Sequence, residues 1–380
     1  MNIATMRVGT ILRAIAILVI TLAGVAIIAA AGSHATSNDY VEYWSSATLL
    51  LQQANPYSSA GVLALEQAHG FLLNSPLIML NPPWSLPLIA WLGIFSERMG
   101  LNLWVLFLGS CIAASIVLLD IPKQHRIVAF LFAPVLANFL MMQISPLLLL
   151  GWALFLRYRE SRPFWSGVAL ALLTIKPHLF VLLWAVLLMH SIYKRSIAVL
   201  LGCFSATVTA AAAVTLMRPN IWRDYLNLIS NSTLTKNNFP TLPTLLRASI
   251  HVQWVWLALV PMTIATVWAL AYYWKNRVEW DWARQGTLIL LLSIATSPYS
   301  WLSDQVVLLP AIMVAFDPTP RRFVIKSLVI LNIVALILIC ANWRITIVLP
   351  LAWLVWYIFA TRKKIDGDQQ WFRNDAPTAS

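Results

Sequence analysis

Gly100–Leu119 reads GLNLWVLFLGSCIAASIVLL, a run with no Lys, Arg, Asp or Glu. As a helix rising 1.5 Å per residue, a run of this length covers about 30 Å, the hydrocarbon thickness of a bilayer. Ala14–Ala31, Ser196–Met217 and Val252–Trp274 are equally free of charge. No stretch alternates apolar and polar residues between turn signals, so helices rather than a barrel must carry the crossings. The whole chain agrees. Of its 380 residues 60% are hydrophobic and 11% charged, against about 25% charged in a soluble domain. Water cannot solvate that much apolar surface, and lipid must take its place. The expected fold is all-α: one polytopic membrane bundle over residues 1–362 and a short cytoplasmic tail at 363–380. Cys111, Cys203 and Cys340 all fall in apolar stretches and read as small buried hydrophobes. Arg7, Arg13 and the apolar run to Ala31 resemble a secretory signal, but the run exceeds the usual 7–15 residues, which favours an uncleaved anchor.

Charge orders the helices. The net charge is +12, yet Ser33–Glu97 has no Lys or Arg and holds Asp39, Glu42, Glu66 and Glu97. After a first helix flanked by arginines, such a loop reads as exterior. Basic clusters at Lys123/Arg126, Arg157/Arg159/Arg162, Lys194/Arg195, Lys275/Arg277/Arg284, Arg321/Arg322/Lys326 and Arg362/Lys363/Lys364 read as cytoplasmic. An even number of crossings must link successive clusters. Ile127–Leu156, Pro163–Tyr193 and Gln285–Phe316 therefore become hairpins whose tips, Gln143–Pro146, Lys176–His178 and Ser297–Asp304, lie outside. About twelve helices cross on this layout, both termini are cytoplasmic, and the working surface faces away from the cytoplasm of a cell (inner) membrane. Each hairpin arm has about 15 residues, about 22 Å, which requires interior packing or a thinned bilayer. Trp84–Phe95 is apolar, but as a crossing it would invert every later loop, so it reads as juxtamembrane or re-entrant. The exterior loops 33–97 and 218–250 should roof a cavity, and Asp366–Ser380 should be disordered.

Several polar residues interrupt this pattern. Asp39-Tyr40-Val41-Glu42-Tyr43-Trp44 opens an amphipathic helix whose apolar face is Tyr40, Tyr43, Trp44, Ala47, Leu50 and Leu51. It ends at Asn55-Pro56-Tyr57. Asp39 and Glu42 have the spacing of a capping box; alternatively, Asp39 is a general base for a substrate hydroxyl. Asn81-Pro82-Pro83-Trp84 is either a helix stop or a rigid lip of a cavity. Lys176 and His178 are nearly alone as ionisable groups between Pro163 and Tyr193. Such groups at membrane depth mark function by default, and a cation with a His beside it suits a phosphate; snorkelling is the structural alternative. Arg218, Arg223, Lys236 and Arg247 break the positive-inside pattern, through contact with membrane lipid headgroups or with an anionic ligand. Tyr299 and Asp304 lie in the last polar tip, where Asp304 is expected to pair with an exterior Arg. Motifs for nucleotide, zinc or nucleophilic serine chemistry are missing, and no nucleic-acid partner is expected.

At these residues the chain resembles the polyprenol-phosphate-mannose-dependent mannosyltransferases of glycosyltransferase family 87, in the GT-C superfamily. Asp39, Tyr43-Trp44, Ala47, Asn55-Pro56-Tyr57, Asn81-Pro82-Pro83, Lys176-Pro177-His178 and Ser297-Pro298 carry the resemblance. Tyr299 departs from it, standing where a His often follows the Ser-Pro. The resemblance implies a GT-C fold and an inverting transfer of mannose or another hexose. The donor would be a polyprenol monophosphate and the acceptor a glycan or glycolipid. Asp39 would be the base, with Lys176, His178 and Arg247 at the donor phosphate. Glu42, Tyr43, Trp44, Asn55, Tyr57, Asn81, Tyr299 and Asp304 would line the pocket. Cations so placed make a metal unnecessary, and no cofactor is expected. A transporter or flippase of lipid-linked sugars is the alternative, and it predicts paired broken helices in internal repeats. No such repeat is visible.

Overall fold

The structure is a computed structural model and describes residues 39–71, 74–231, 241–251, 253–316, 322–341 and 343–374. Ala14–Ala31, expected as an anchor, lies outside them, as do Lys236 and Arg321. Among the described residues no strand occurs, as expected of an apolar chain that must satisfy its own backbone in lipid. The acidic first loop forms α1 (Tyr40–Leu51), α2 (Ser59–Ala68) and a broken α3 (Pro83–Ile94). Next come α4 (Glu97–Leu118), α5 (Ala133–Met141), α6 (Ser145–Tyr158), α7 (Pro163–Ile175), α8 (Pro177–Tyr193) and α9 (Ala198–Met217). The second exterior loop carries α10 (Ile221–Asn231) and α11 (Leu242–Ile250). The chain ends with α12 (Val255–Asn276), α13 (Thr287–Thr296), α14 (Leu302–Phe316), α15 (Arg322–Ala341) and α16 (Leu349–Asn374).

The uncharged runs become α4, α9 and α12, each long and apolar enough to cross a bilayer alone. α4 is 44% buried against other helices, whereas α9 and α12 are 17% and 22% buried. The first belongs to the interior and the other two face lipid. The remaining arms are shorter. α6 has 14 residues, about 21 Å of rise. Among the described residues, length and composition thus give three spans, or four if α7 and α8 form one, and do not by themselves yield twelve.

All three expected tips are breaks. α7 and α8 meet at a 120° bend. Pro177 lacks an N–H and pushes Lys176 out of the helical region, to φ −131° and ψ 69°. Pro298 acts likewise on Ser297, at ψ 136°. α5 stops at Met142, which takes a left-handed conformation with φ 55°.

Two sequence readings need correction. α1 does not lie on a surface with one apolar face. Ser45, Ser46 and Leu49 are buried along with Tyr40, Tyr43 and Trp44, because α2, α3 and α4 pack around it. The Trp44 indole donates to Phe95 O at 3.1 Å, pinning the end of α3 beside it. The tail is also helical to Asn374 rather than disordered from Asp366. It has one Gly and no Pro before that point, and several strong helix formers.

α7 and α9 touch through glycines. A Cβ on Gly167 would sit 2.0 Å from Val199 O, and one on Gly202 2.0 Å from Phe164 O. Small residues permit this backbone approach in membranes. Gly202→Ala is expected to push α9 off α7 and cost about 1–3 kcal/mol, read as a lower thermal midpoint of the purified protein. An unchanged midpoint would show that the two backbones are not held so closely.

Candidate functional site

The break after α5 exposes three successive carbonyls, and each is taken. Asp39 N–H donates to Met141 O at 2.9 Å, the Trp104 indole to Met142 O at 2.9 Å, and Asn138 Nδ2 to Gln143 O at 3.2 Å. The satisfied backbone fixes the tip and brings the start of α1 against it. Asp39 stands at the N-cap position, but its side chain makes no capping bond. Gln143 Nε2 donates to Asp39 Oδ2 instead. The capping-box reading therefore fails, because a tertiary donor competes successfully for the carboxylate.

The second tip reaches the same amide. Lys176 Nζ donates to Gln143 Oε1 and to Asp304 Oδ1, both at 2.7 Å. The Lys176 and Asp304 side chains are 6% and 0% exposed. Ser145 Oγ adds a bond to Asp304 Oδ1 at 2.6 Å, and Trp301 N–H donates to Asp304 Oδ2 at 2.9 Å. Asp304 therefore pairs with Lys176, not with an exterior Arg, because the three tips converge and Lys176 is the cation they enclose. Arg218, one of those exterior cations, bonds Asp224 and Gln53 O, both at 2.6 Å.

Several motif residues hold this centre rather than face it. Asn55 Oδ1 accepts from Tyr57 N–H at 2.9 Å, closing an Asx turn. Tyr57 donates to Asn81 O at 3.1 Å, and Asn81 Nδ2 donates to Ile175 O at 3.2 Å. The Trp84 indole donates to Thr174 Oγ1 at 3.0 Å. The Asn-Pro-Pro-Trp stretch is thus a clamp on the residues before Lys176, and its Trp84 lines a cavity. Tyr43 donates to Gln143 Oε1 at 2.9 Å.

Three residues stand apart from these bonds. His178 lies edge-on to Tyr299, ring centres 5.2 Å apart, and its buried Nε2 has no hydrogen-bond partner. Ser297 Oγ ties His178 O and Tyr299 O together, and the Trp301 indole donates to the Tyr299 hydroxyl. Arg247 is buried on α11, which packs against α12, α13 and the turn Trp343–Val348. The hydrogen bonds of Lys176 are made without Arg247. Sequence reasoning missed Gln143 and Ser145. Their signal was an amide and a hydroxyl at the tip of a mostly apolar hairpin.

Burial pushes the Asp39 carboxyl up to about 7, with Lys176 opposing the rise and Asp304 adding to it. Burial also raises Glu42 well above the carboxylate range, with Asp39 contributing. Glu66 rises to about 7 through burial, although Leu77 N–H donates to its Oε1 at 3.1 Å. A carboxyl whose folded value exceeds its unfolded one binds more protons when folded, so stability falls as pH rises from about 4.5 to 7. Glu66→Gln keeps the acceptor and removes the charge. It should raise the thermal midpoint near about pH 8 and give no gain near about pH 4.5. An equal gain at both would remove ionisation as the cause.

Two apolar cavities lie among the helices. One of about 410 Å³ runs past Trp165, Thr207 and Ala210 to Trp84, Thr174 and Ile175, next to Lys176. The other, about 670 Å³, is lined by Leu242, Leu246, Ile264, Trp268 and Leu354 and reaches Thr296, next to Ser297.

The fold and the site together define a helical membrane protein whose polar centre is built from breaks in its own helices. The chain belongs to glycosyltransferase family 87, whose family model matches residues 79–298, more than half of it. It is a glycosyltransferase, consistent with the GT-C superfamily. The match takes in Asn81, Gln143 and Lys176 and leaves Asp39 and Asp304 outside it. No curated protein and no solved structure matches the chain.

Proposed function

We propose that this enzyme moves a sugar, mannose or another hexose, from a polyprenol-monophosphate carrier to a hydroxyl of a glycan or glycolipid. Asp39 takes the proton of that hydroxyl. Its oxygen attacks the anomeric carbon opposite the phosphate, and the anomeric C–O bond breaks with its electron pair leaving on the phosphate. The configuration inverts. Lys176 turns from Gln143 to the phosphate and stabilises the charge growing there. One observation carries this reading: a carboxylate and an ammonium occupy the two ends of one buried amide. The apolar cavity lined by Trp84, Thr174 and Ile175, the residue before Lys176, favours a lipid carrier over a soluble nucleotide sugar. Arg247, on the same helix α11 as Leu242 and Leu246 of the larger cavity, is the second cation this reading assigns to the phosphate.

The same reading keeps about twelve crossings, cytoplasmic chain ends and an extracytoplasmic site in the cell membrane. The meeting of all three hairpin tips supports it, since an even number of crossings between basic clusters puts every tip on one side. The test incubates purified protein with radiolabelled polyprenol-phosphate sugars and membrane extract. A labelled glycan or glycolipid is expected with at least one carrier. Label that stays on every carrier would overturn the reading.

A further inference from the structure

We propose that Gln143 is a positioning residue of the reaction, its side-chain amide holding the base Asp39 and the cation Lys176 apart so that neither neutralises the other. The inference rests on the reading of Asp39 as the base and goes on to name what keeps it usable.

The orientation of the amide is decided by its neighbours. Lys176 Nζ and the Tyr43 hydroxyl both donate to Oε1, at 2.7 and 2.9 Å. An oxygen accepts and an NH₂ donates, so Nε2 is the end that meets Asp39. The base therefore keeps a donor that favours its charged form, without a cation in contact. Direct contact with Lys176 would form a tight buried pair. That pair would occupy the lone pairs meant for the acceptor proton and withdraw the ammonium from the leaving phosphate. Asp304 completes the arrangement, because it gives Lys176 a partner that does not involve the base.

The fold isolates this role from structure. The backbone at Gln143 is held by Asp39 N–H, Trp104 and Asn138, none of which uses the Gln143 side chain. Lys176 keeps Asp304 when the amide is lost. The ionisable groups that act on Asp39 are Lys176 and Asp304 from the other two tips, Glu42 and Tyr43 from its own helix, and Tyr299. All remain in the variants below.

The test measures kcat, donor KM and the pH dependence of kcat/KM for Gln143→Leu and Gln143→Glu in the transfer assay. Leu keeps the volume between base and cation and removes the donor. Glu keeps the acceptor for Lys176 and Tyr43 but turns an oxygen toward Asp39. In both, kcat should fall about a hundredfold, with donor KM within about twofold of the wild type. The acid limb should move up by about one pH unit, because the carboxylate loses its N–H. In Gln143→Leu, which adds no charge, a merely structural role would not move that limb. If Gln143→Leu keeps the wild-type limb, or either variant loses donor KM alone, Gln143 is not the positioning residue although transfer stands. If the wild type transfers from no carrier, the reading of the reaction fails and this inference with it. Should the Leu variant not fold, Gln143→Met, which also removes the donor without adding a charge, decides by the same two criteria.

Discussion

Asp39→Asn abolishes sugar transfer while leaving the fold intact: kcat is expected to drop by about 10²–10⁴, the usual worth of a positioned general base. The replacement is nearly isosteric and keeps an oxygen for Gln143 Nε2. The backbone bond from position 39 to Met141 O is untouched. The side chain makes no capping bond, so the loss of about 1 kcal/mol that follows removal of an N-cap should not occur. Burial has raised this carboxyl to about 7, which means the folded chain prefers it protonated. Its charged form therefore costs stability above its ordinary value of 3.8, and Asn should be neutral or stabilising near about pH 8. Loss of activity with equal or greater stability is how an active-site group at odds with its surroundings behaves. The wild-type rate should rise as pH climbs through about 7 and then level off, since only the ionised carboxylate accepts a proton. An Asn variant that turns over normally would remove Asp39 from the mechanism.

How much of this was legible in the sequence follows from the range of the interactions. The long spans were readable because a crossing needs one contiguous apolar run, and α4, α9 and α12 fall where those runs are. The three tips were readable because proline acts on its immediate neighbours and basic clusters count crossings by parity. What meets at the tips was not. Lys176 and Asp304 are 128 positions apart, Lys176 and Gln143 33, and Asn81 and Ile175 94. Bonds over such separations leave no local pattern. Local patterns misled where tertiary partners outbid them. Asp39 and Glu42 have the spacing of a capping box, yet Gln143 takes the carboxylate. α1 has an amphipathic period, yet α2, α3 and α4 also bury Ser45, Ser46 and Leu49 off its apolar face.

Lys176→Met should be the most damaging single change to stability and to rate together, and the two losses should be separable. Removing the ammonium leaves the Asp304 carboxylate fully buried with only Ser145 Oγ and Trp301 N–H. Breaking a buried pair by deleting one partner typically costs about 3–5 kcal/mol, because the other charge stays uncompensated. The single variant should therefore be poorly recovered from membranes, and its inactivity alone would say little. Adding Asp304→Asn removes the stranded charge while keeping an acceptor for Ser145. Replacing both members of a buried pair is often neutral, so the double variant should return to within about 1 kcal/mol of the wild type. Its kcat should nonetheless stay down by about 10²–10³, the usual cost of losing one group that stabilises developing charge. Recovery of stability without activity would mean that Lys176 faces the leaving phosphate during transfer. Recovery of both would mean that Lys176 serves only as the counterion of Asp304, and the positive charge for the phosphate would then have to come from elsewhere, Arg247 on α11 being the next cation to test.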